Sequence, residues 1–337
     1  MARVRRARAA LRRWWGEDAR GRTARTRGRA VAALAAATAA LMALHSLVPG
    51  ALGLGSLLET FLPWTGLAVP VLLLLALLRR SALALAVLPL PAAVWLALFH
   101  GALAGGAPAP APGTGSLTVV QHNIGDANPS PRAAARALAE AGPDLVALEE
   151  VVPATRPAYE AELSPRLPHH AVVGTVGLWS RYPLTDVRPL DVRPPGLGPD
   201  WNRGLRATAR TPYGPVAVHV VHLPSVRLRA TGFDTARRDE SAELLGAALE
   251  SEELPRVLVL GDLNATLDDR GLDPVLERLG PPDAGAADGF AFSWPASFPV
   301  ARIDHVLARG AAVTGLRTLP ATGSDHLPVA ARVTFPS

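Results

Sequence analysis

The 337-residue sequence predicts an α/β domain carried behind a membrane anchor. Three observations lead there. Apolar runs fill most of the first 104 residues, and from Leu117 onward short β-rich runs alternate with helical stretches. Those β-rich runs repeatedly deliver Asn, Asp, Glu or His at their C-terminal ends.

Residues 1–29 form an Arg-rich tail with eleven Arg against Glu17 and Asp18, a local balance of +9 in a chain whose total is +5. The remainder therefore sums to −4, so the basic character belongs to the tail. The domain beyond lacks the basic excess of a protein that grips a nucleic-acid backbone unaided. Lys is absent, and so is Cys, which excludes disulfides, Cys-ligated zinc and a Cys nucleophile.

Residues 30–104 read as an anchor with three transmembrane helices, at about 30–48, 61–78 and 82–104. The first run is too long for the apolar core of a cleaved signal peptide, and two more follow it. Pro89 and Pro91 in the third are tolerable where neighbours satisfy the freed carbonyls. Positive flanks stay in the cytoplasm. The tail is then inside, the loop from Pro49 to Thr60 with its single Glu59 outside, Arg79 and Arg80 inside, and the C-terminal domain outside. The expectation is a multi-pass cell-membrane protein with a cytoplasmic N-terminus and an extracellular domain, partnered by the lipid bilayer. The stretch GGAPAPAPGTGS (105–116) reads as an extended linker.

Within 117–335, strands are expected in LTVVQHNI, DLVALEEV, AVVGTVGLWS, GPVAVHVVHL, RVLVLGDLN, ARIDHVLA and LPVAARVTF. Helices are expected at Pro131–Ala141, Asp234–Glu250 and Leu272–Leu279. The first strand delivers Asn123, the second Glu149 and Glu150, and VAVHVVH delivers His222. RVLVLGDLN delivers Asp262 and Asn264, ARID delivers Asp304, and GSDH delivers Asp325 and His326. Each alone has an ordinary structural explanation, such as a solvated rim carboxylate or a packed His. Six deliveries along one chain point instead to a site at the strand ends, where open α/β sheets gather ligands. Oxygen donors without Cys select a hard cation, Mg²⁺ or Mn²⁺. Two His beside carboxylates can each be held as imidazolium against a phosphoryl oxygen. Together these are the parts of metal-assisted phosphoester hydrolysis.

In order and spacing the motifs resemble the endonuclease/exonuclease/phosphatase superfamily of DNase I-like nucleases, inositol polyphosphate phosphatases and bacterial sphingomyelinases. QHNIGDAN resembles the opening strand, DLVALEEV the strand bearing the metal-binding Glu, and GLWSRYPL a family strand and turn. VHLPS, GDLNAT, ARIDHV and GSDHLPV complete the series. The resemblance implies a four-layer α/β sandwich of two mixed β-sheets flanked by helices. It implies metal contacts at Asn123, Glu150 and Asp325, and a phosphate-contacting His222. It also implies Asp262 as the base on water, Asn264 as the phosphate-orienting amide, and Asp304 holding His326 protonated on the scissile phosphate. Glu149 stands where Gln is usual, and His305 where an aromatic is usual.

A superfamily sets the reaction, not the substrate. The preferred expectation is an extracytoplasmic Mg-dependent phosphoesterase acting on a lipid-linked or other cell-envelope phosphate. The architecture also resembles actinobacterial membrane-anchored members linked to glycopeptide-antibiotic resistance, which implies a polyprenyl-pyrophosphate substrate. The alternatives are a membrane-tethered extracellular nuclease, with Arg203, Arg206, Arg227 and Arg229 as a basic rim, and a non-catalytic sensor on the same scaffold. Loops 194–206 and 225–238 are expected to border the cleft, with Arg206 or Arg238 on a second phosphate. Trp201 and Trp294 read as core or rim. No protein partner is expected.

Overall fold

The computed structural model describes residues 28–105, 115–230, 232–280 and 286–336. The Arg-rich tail up to residue 27 and linker residues 106–114 lie outside the described residues. The chain divides into two compact units, one of residues 1–49 and 61–100, the other of residues 50–60 and 101–337.

In the first unit, helix α1 spans Arg29–Ala43, a shorter helix than the expected first span because the chain turns into a 3₁₀ segment at His45. Helix α2 (Leu54–Thr60) belongs to the second unit. A 3₁₀ turn at Leu62–Leu67 leads into α3 (Ala68–Leu78), followed by α4 (Ala82–Val87) and α5 (Pro89–Leu103). Small residues let these helices approach, with Ala32, Ala76 and Ala84 in one buried cluster and Ala35, Leu72 and Leu88 in another. Among the described residues, only Ala82–Leu103 is by itself long and apolar enough to cross a membrane. The stretches Ala51–Thr60 and Leu62–Leu78 pass that test only together, across a bend of 73°. Leu41, Leu44, Leu74, Leu78 and Leu96 are exposed, more apolar surface than a water-facing bundle ordinarily carries.

The second unit is an α/β sandwich of two mixed sheets. Its elements begin with β1 (Ser116–Asn123), α6 (Pro131–Glu140), β2 (Leu145–Glu149) and α7 (Arg156–Leu163). The expected strand AVVGTVGLWS is in fact a hairpin, β3 (His169–Val173) and β4 (Val176–Ser180), turning at Gly174 with φ +56°. Next come β5 (Leu184–Pro189), β6 (Gly204–Thr211), β7 (Gly214–His222) and the small hairpin β8 (Arg227–Arg229) and β9 (Gly232–Asp234). Helix α8 (Ala236–Glu250), β10 (Val257–Asp262), α9 (Asp273–Leu279), β11 (Asp304–Arg309), β12 (Ala312–Thr318) and β13 (Val329–Thr334) complete it.

One sheet runs β12-β13-β1-β2-β4-β3 and the other β11-β10-β7-β6-β5. Each contains one parallel pair, β1 with β2 and β7 with β10, among antiparallel neighbours. Alternation along the strands sorts the core. Leu117, Val119, Leu145, Ala147, Val218, Val220, Leu258, Leu260 and Val306 fill the space between the sheets. The opposite faces pack on helices. Val146 and Leu148 meet Leu138 of α6 and Tyr159 of α7, while Val221 and Val259 meet Leu245 of α8 and Val275 of α9.

That parity positions the site. Counting on by twos from the inter-sheet residues reaches Gln121 and Asn123 on β1, Glu149 on β2, His222 on β7 and Asp262 on β10; counting back from Val306 reaches Asp304 on β11. Between β10 and β7 the strands meet closely at Gly261, which has φ +151° and whose place for a Cβ lies 1.8 Å from the Val221 carbonyl oxygen. Gly261→Ala is therefore expected to cost at least about 2 kcal/mol, measured by denaturant unfolding of the full chain in detergent.

Candidate active site

The carboxylate of Asp262 is the hub. Its Oδ2 accepts from Asn123 Nδ2 at 3.1 Å and lies 3.6 Å from His222 Nε2 and 3.7 Å from His326 Nε2. Its Oδ1 accepts the backbone N–H of Asn264 at 2.9 Å. Asn264 holds a left-handed backbone, φ +50°, which Asn tolerates better than most residues, and donates its amide to the Leu223 carbonyl at 2.9 Å.

His326 reaches this hub from the loop before β13. Ser324 Oγ bonds the Asn123 carbonyl at 2.7 Å and accepts from the His326 backbone N–H at 3.1 Å, so the loop is tied to the end of β1. His326 Nδ1 lies 2.8 Å from Asp304 Oδ2, which also accepts from Ser293 Oγ at 2.6 Å; Gln121 Nε2 donates to Asp304 Oδ1 at 3.1 Å.

These environments separate the titrations. Burial alone would lower the His326 pKa, but Asp304 and then Asp262 outweigh it and raise it to about 10, so the ring is an imidazolium at neutral pH. Burial opposes ionisation of Asp304, yet His326, Ser293 and Gln121 together hold its pKa below the usual carboxylate value. Asp262 is pushed up to about 7 by burial, against the pull of His326. His222 departs from expectation. Burial, with the charges of Arg203 and His326, lowers its pKa to about 3, so it is a neutral ring rather than a second imidazolium. Glu149 is buried beside Asp304 and Asp262, which raises its pKa well above the ordinary value. It accepts from Gln121 at 2.6 Å, and burial favours its uncharged form.

Glu150 leaves β2 with φ +60° and turns its carboxylate to Asn123 Nδ2 at 3.3 Å and the Asp126 backbone N–H at 3.0 Å. Asp325 is exposed beside Trp294, whose indole N–H donates to it at 3.3 Å. Asp262, Asp304 and His326 offer atoms within 4.8 Å of one another, close enough to hold a cation. Their protonation speaks against that set, because an imidazolium repels a metal and Nδ1 is already committed to Asp304. Glu150 and the Asn123 amide oxygen suit a hard cation better, at the rim of a cluster rich in carboxylates.

The two Arg expected on a second phosphate lie elsewhere. Arg206 sits on the helix-facing side of β6 and pairs with Glu252, Nε to Oε2 at 3.0 Å and Nη2 to Oε1 at 3.0 Å. Arg238 is buried against Asp239 and Asp269. Both guanidinium groups are consumed by internal carboxylates. Of the Arg expected as a nuclease's basic rim, Arg203 does reach the site, its Nη1 3.2 Å from His222 Nδ1. Its contact with His222 was not expected, because it lies in an irregular loop before β6 with no strand-end signal. Gln121 and Ser293 were missed for a related reason, since neither is titratable. His305 faces away from the inter-sheet space and bonds the Ala265 carbonyl at 2.8 Å.

Two mixed sheets with a carboxylate–imidazolium cluster at one end define a class, the sandwich hydrolases of phosphate esters. Residues 120–326 match the model of the Endonuclease/Exonuclease/phosphatase family, and the chain belongs to that family. Among solved structures it is similar to beta toxin from Staphylococcus aureus, at 16% identity over 64% of this chain and 99% of that one, with a TM-score of 0.54. Sphingomyelinase C from Streptomyces griseocarneus is 22% identical over 66% of this chain and 100% of that one, TM-score 0.51. An endonuclease/exonuclease/phosphatase from Bacteroides vulgatus is 16% identical over 66% and 100%, TM-score 0.54. At these identities the likeness is one of fold. No curated protein sequence matches the chain.

The imidazolium makes a pH-dependent contribution to stability. The folded-state pKa of His326, about 10, exceeds its unfolded value of 6.5, so the contribution is full below pH 6.5 and is lost as pH rises through 10. The difference in unfolding free energy between wild type and His326→Gln is expected to shrink steadily from pH 7 to pH 10, followed by denaturant titration.

Proposed function

We propose that this chain is a membrane-anchored, extracytoplasmic, divalent-metal-dependent phosphoesterase whose substrate is a lipid-linked phosphate ester or pyrophosphate. The observation that carries the reaction is geometric: the buried Asp262 carboxylate lies 3.7 Å from Nε2 of His326, whose Nδ1 is held by Asp304 at 2.8 Å. Asp262 takes a proton from the attacking water, and its backbone bond from Asn264 keeps the acceptor oxygen aimed. His326 donates its Nε2–H to a phosphoryl oxygen as charge builds there, and Asp304 keeps that proton in place. Asn264 and Arg203 orient the phosphate, and His222 acts as a neutral hydrogen-bonding ring. A Mg²⁺ or Mn²⁺ held by Glu150, Asn123 and Asp325 would supply Lewis-acid stabilisation of that charge.

Chain sidedness supports the location. Residues 50–60 and the catalytic residues share one folded unit, so they lie on one side of any membrane, and the chain between them crosses it an even number of times. The spans expected from the sequence at 61–78 and 82–104 would meet that condition. With the Arg-rich tail and Arg79–Arg80 inside, the unit is outside. There an anchored site meets lipid-linked phosphates by geometry. A nuclease reading has less support, because two Arg of the expected rim are held by carboxylates, Arg206 by Glu252 and Arg229 by Asp234.

Full-length protein in detergent with Mg²⁺ is expected to release phosphate from a polyprenyl pyrophosphate, and faster than it cleaves sphingomyelin or nicks plasmid DNA. Turnover of none of the three would overturn the enzymatic reading. Asp262→Asn and His326→Ala should each lower kcat by about 10² to 10⁴-fold, and EDTA should abolish turnover reversibly. A reporter active only outside the cytoplasm, fused after Ser337, is expected to be active.

A further inference from the structure

The segment Gly50–Thr60 lies between two apolar helices in sequence, yet it is built into the catalytic unit. Glu59 is completely buried, and Arg270 closes on its carboxylate, Nη2 to Oε1 at 2.7 Å and Nε to Oε1 at 3.0 Å, with the Arg270 backbone N–H donating to Oε2 at 3.2 Å. Ser56 Oγ donates to Asp269 Oδ2 and accepts from Arg238 Nη2 at 3.2 Å. The Glu59 carbonyl accepts from Thr266 Oγ1 at 3.3 Å. Arg238 Nη2 also bonds Asp269 at 3.0 Å, and its Nη1 donates to the Asn264 carbonyl at 3.3 Å.

Every one of these bonds falls on, or within one residue pair of, the chain from Asn264 to Arg270. That stretch follows directly from Asp262, and it contains the strained Asn264 turn whose N–H aims the Asp262 carboxylate. It has little regular structure of its own between β10 and a single 3₁₀ turn at Arg270–Leu272. Its conformation therefore depends on what is packed against it. A buried carboxylate facing a guanidinium tolerates little displacement, because separating them leaves charge without solvent.

We propose that Gly50–Thr60 is a positioning strap for the active site, with Glu59 and Ser56 as positioning residues that fix the Asn264–Arg270 segment through Arg270, Asp269 and Arg238. Neither residue touches the reacting groups; both act through the loop. Arg238, read from the sequence as a substrate contact, is the link between strap and loop. The proposal deepens the phosphoesterase reading and rests on it for its kinetic consequence, though not for its structural one.

The test uses full-length protein in detergent with Ser56→Ala, Glu59→Gln and Glu59→Asp. Hydrogen exchange read by mass spectrometry is expected to show amides 264–270 losing protection in Ser56→Ala and Glu59→Gln, while β1, β2 and β7 keep theirs. On the same proteins, kcat for phosphate release should fall about tenfold or more with KM within about twofold, since a small misplacement of a catalytic group costs rate rather than binding. Glu59→Asp, which keeps the charge, should recover part of both. Unchanged exchange over 264–270 in both Ser56→Ala and Glu59→Gln would overturn the strap, whatever the kinetics. A wild-type protein that hydrolyses no phosphate ester would overturn the phosphoesterase reading while the exchange experiment still decides the strap.

Discussion

The ion pair between Asp304 and His326 is the constraint on which the rest of the site depends. A 2.8 Å bond in a pocket screened from water fixes a positive charge on His326. That charge lets Asp262 exist as a carboxylate within reach of two other buried acids. Without it, Asp262, Asp304 and Glu149 would compete for protons in one small volume, and burial would favour the neutral form of each. Burial beside Asp304 and Asp262 favours the neutral form of Glu149, and His222 stays neutral. The cluster thus carries the charge separation that acid–base chemistry needs at the expense of only one buried cation and two buried anions.

The fold places that pair by simple parity. Two parallel strand pairs, one in each sheet, end together, and the side chains continuing the inter-sheet hydrophobic rows become polar at their last position. Leu258 and Leu260 lead to Asp262, and Val218 and Val220 to His222. The apolar rows hold the sheets at a fixed separation, so the polar ends meet without needing long loops to aim them. Residues such as Glu150 and Asn264, which lie just beyond strand ends, reach the cluster through left-handed backbone instead.

Much of this was legible in the sequence because it is local. The motif order and the polar ends of β1, β2, β7 and β10 follow from short runs whose alternation can be read directly, whereas Asp304 begins β11 and Asp325 and His326 precede β13 instead of closing strands. What escaped was whatever depends on pairing across the fold. Arg206 looks as accessible as Arg203 in sequence, yet the single residue of parity between β6 and the loop sends one to Glu252 and the other to His222. The two His looked equivalent, and only their neighbours distinguish a pKa of about 10 from one of about 3. β5, β6 and β12 were not expected, since Arg and Thr on their outer faces dilute the apolar signal. The first apolar run was read as longer than its helix, because composition does not reveal the turn at His45.

The bonds made by Ser56 and Glu59 also span an unusual length of chain, 213 residues to Asp269 and 211 to Arg270. Synthesis runs from the N-terminus, so the strap is made long before its partners exist. The second unit is therefore assembled from two stretches of chain made at different times. The contacts to the strap form only when the later-made domain returns to a segment already laid down between two helices, which makes them long-range and slow to close.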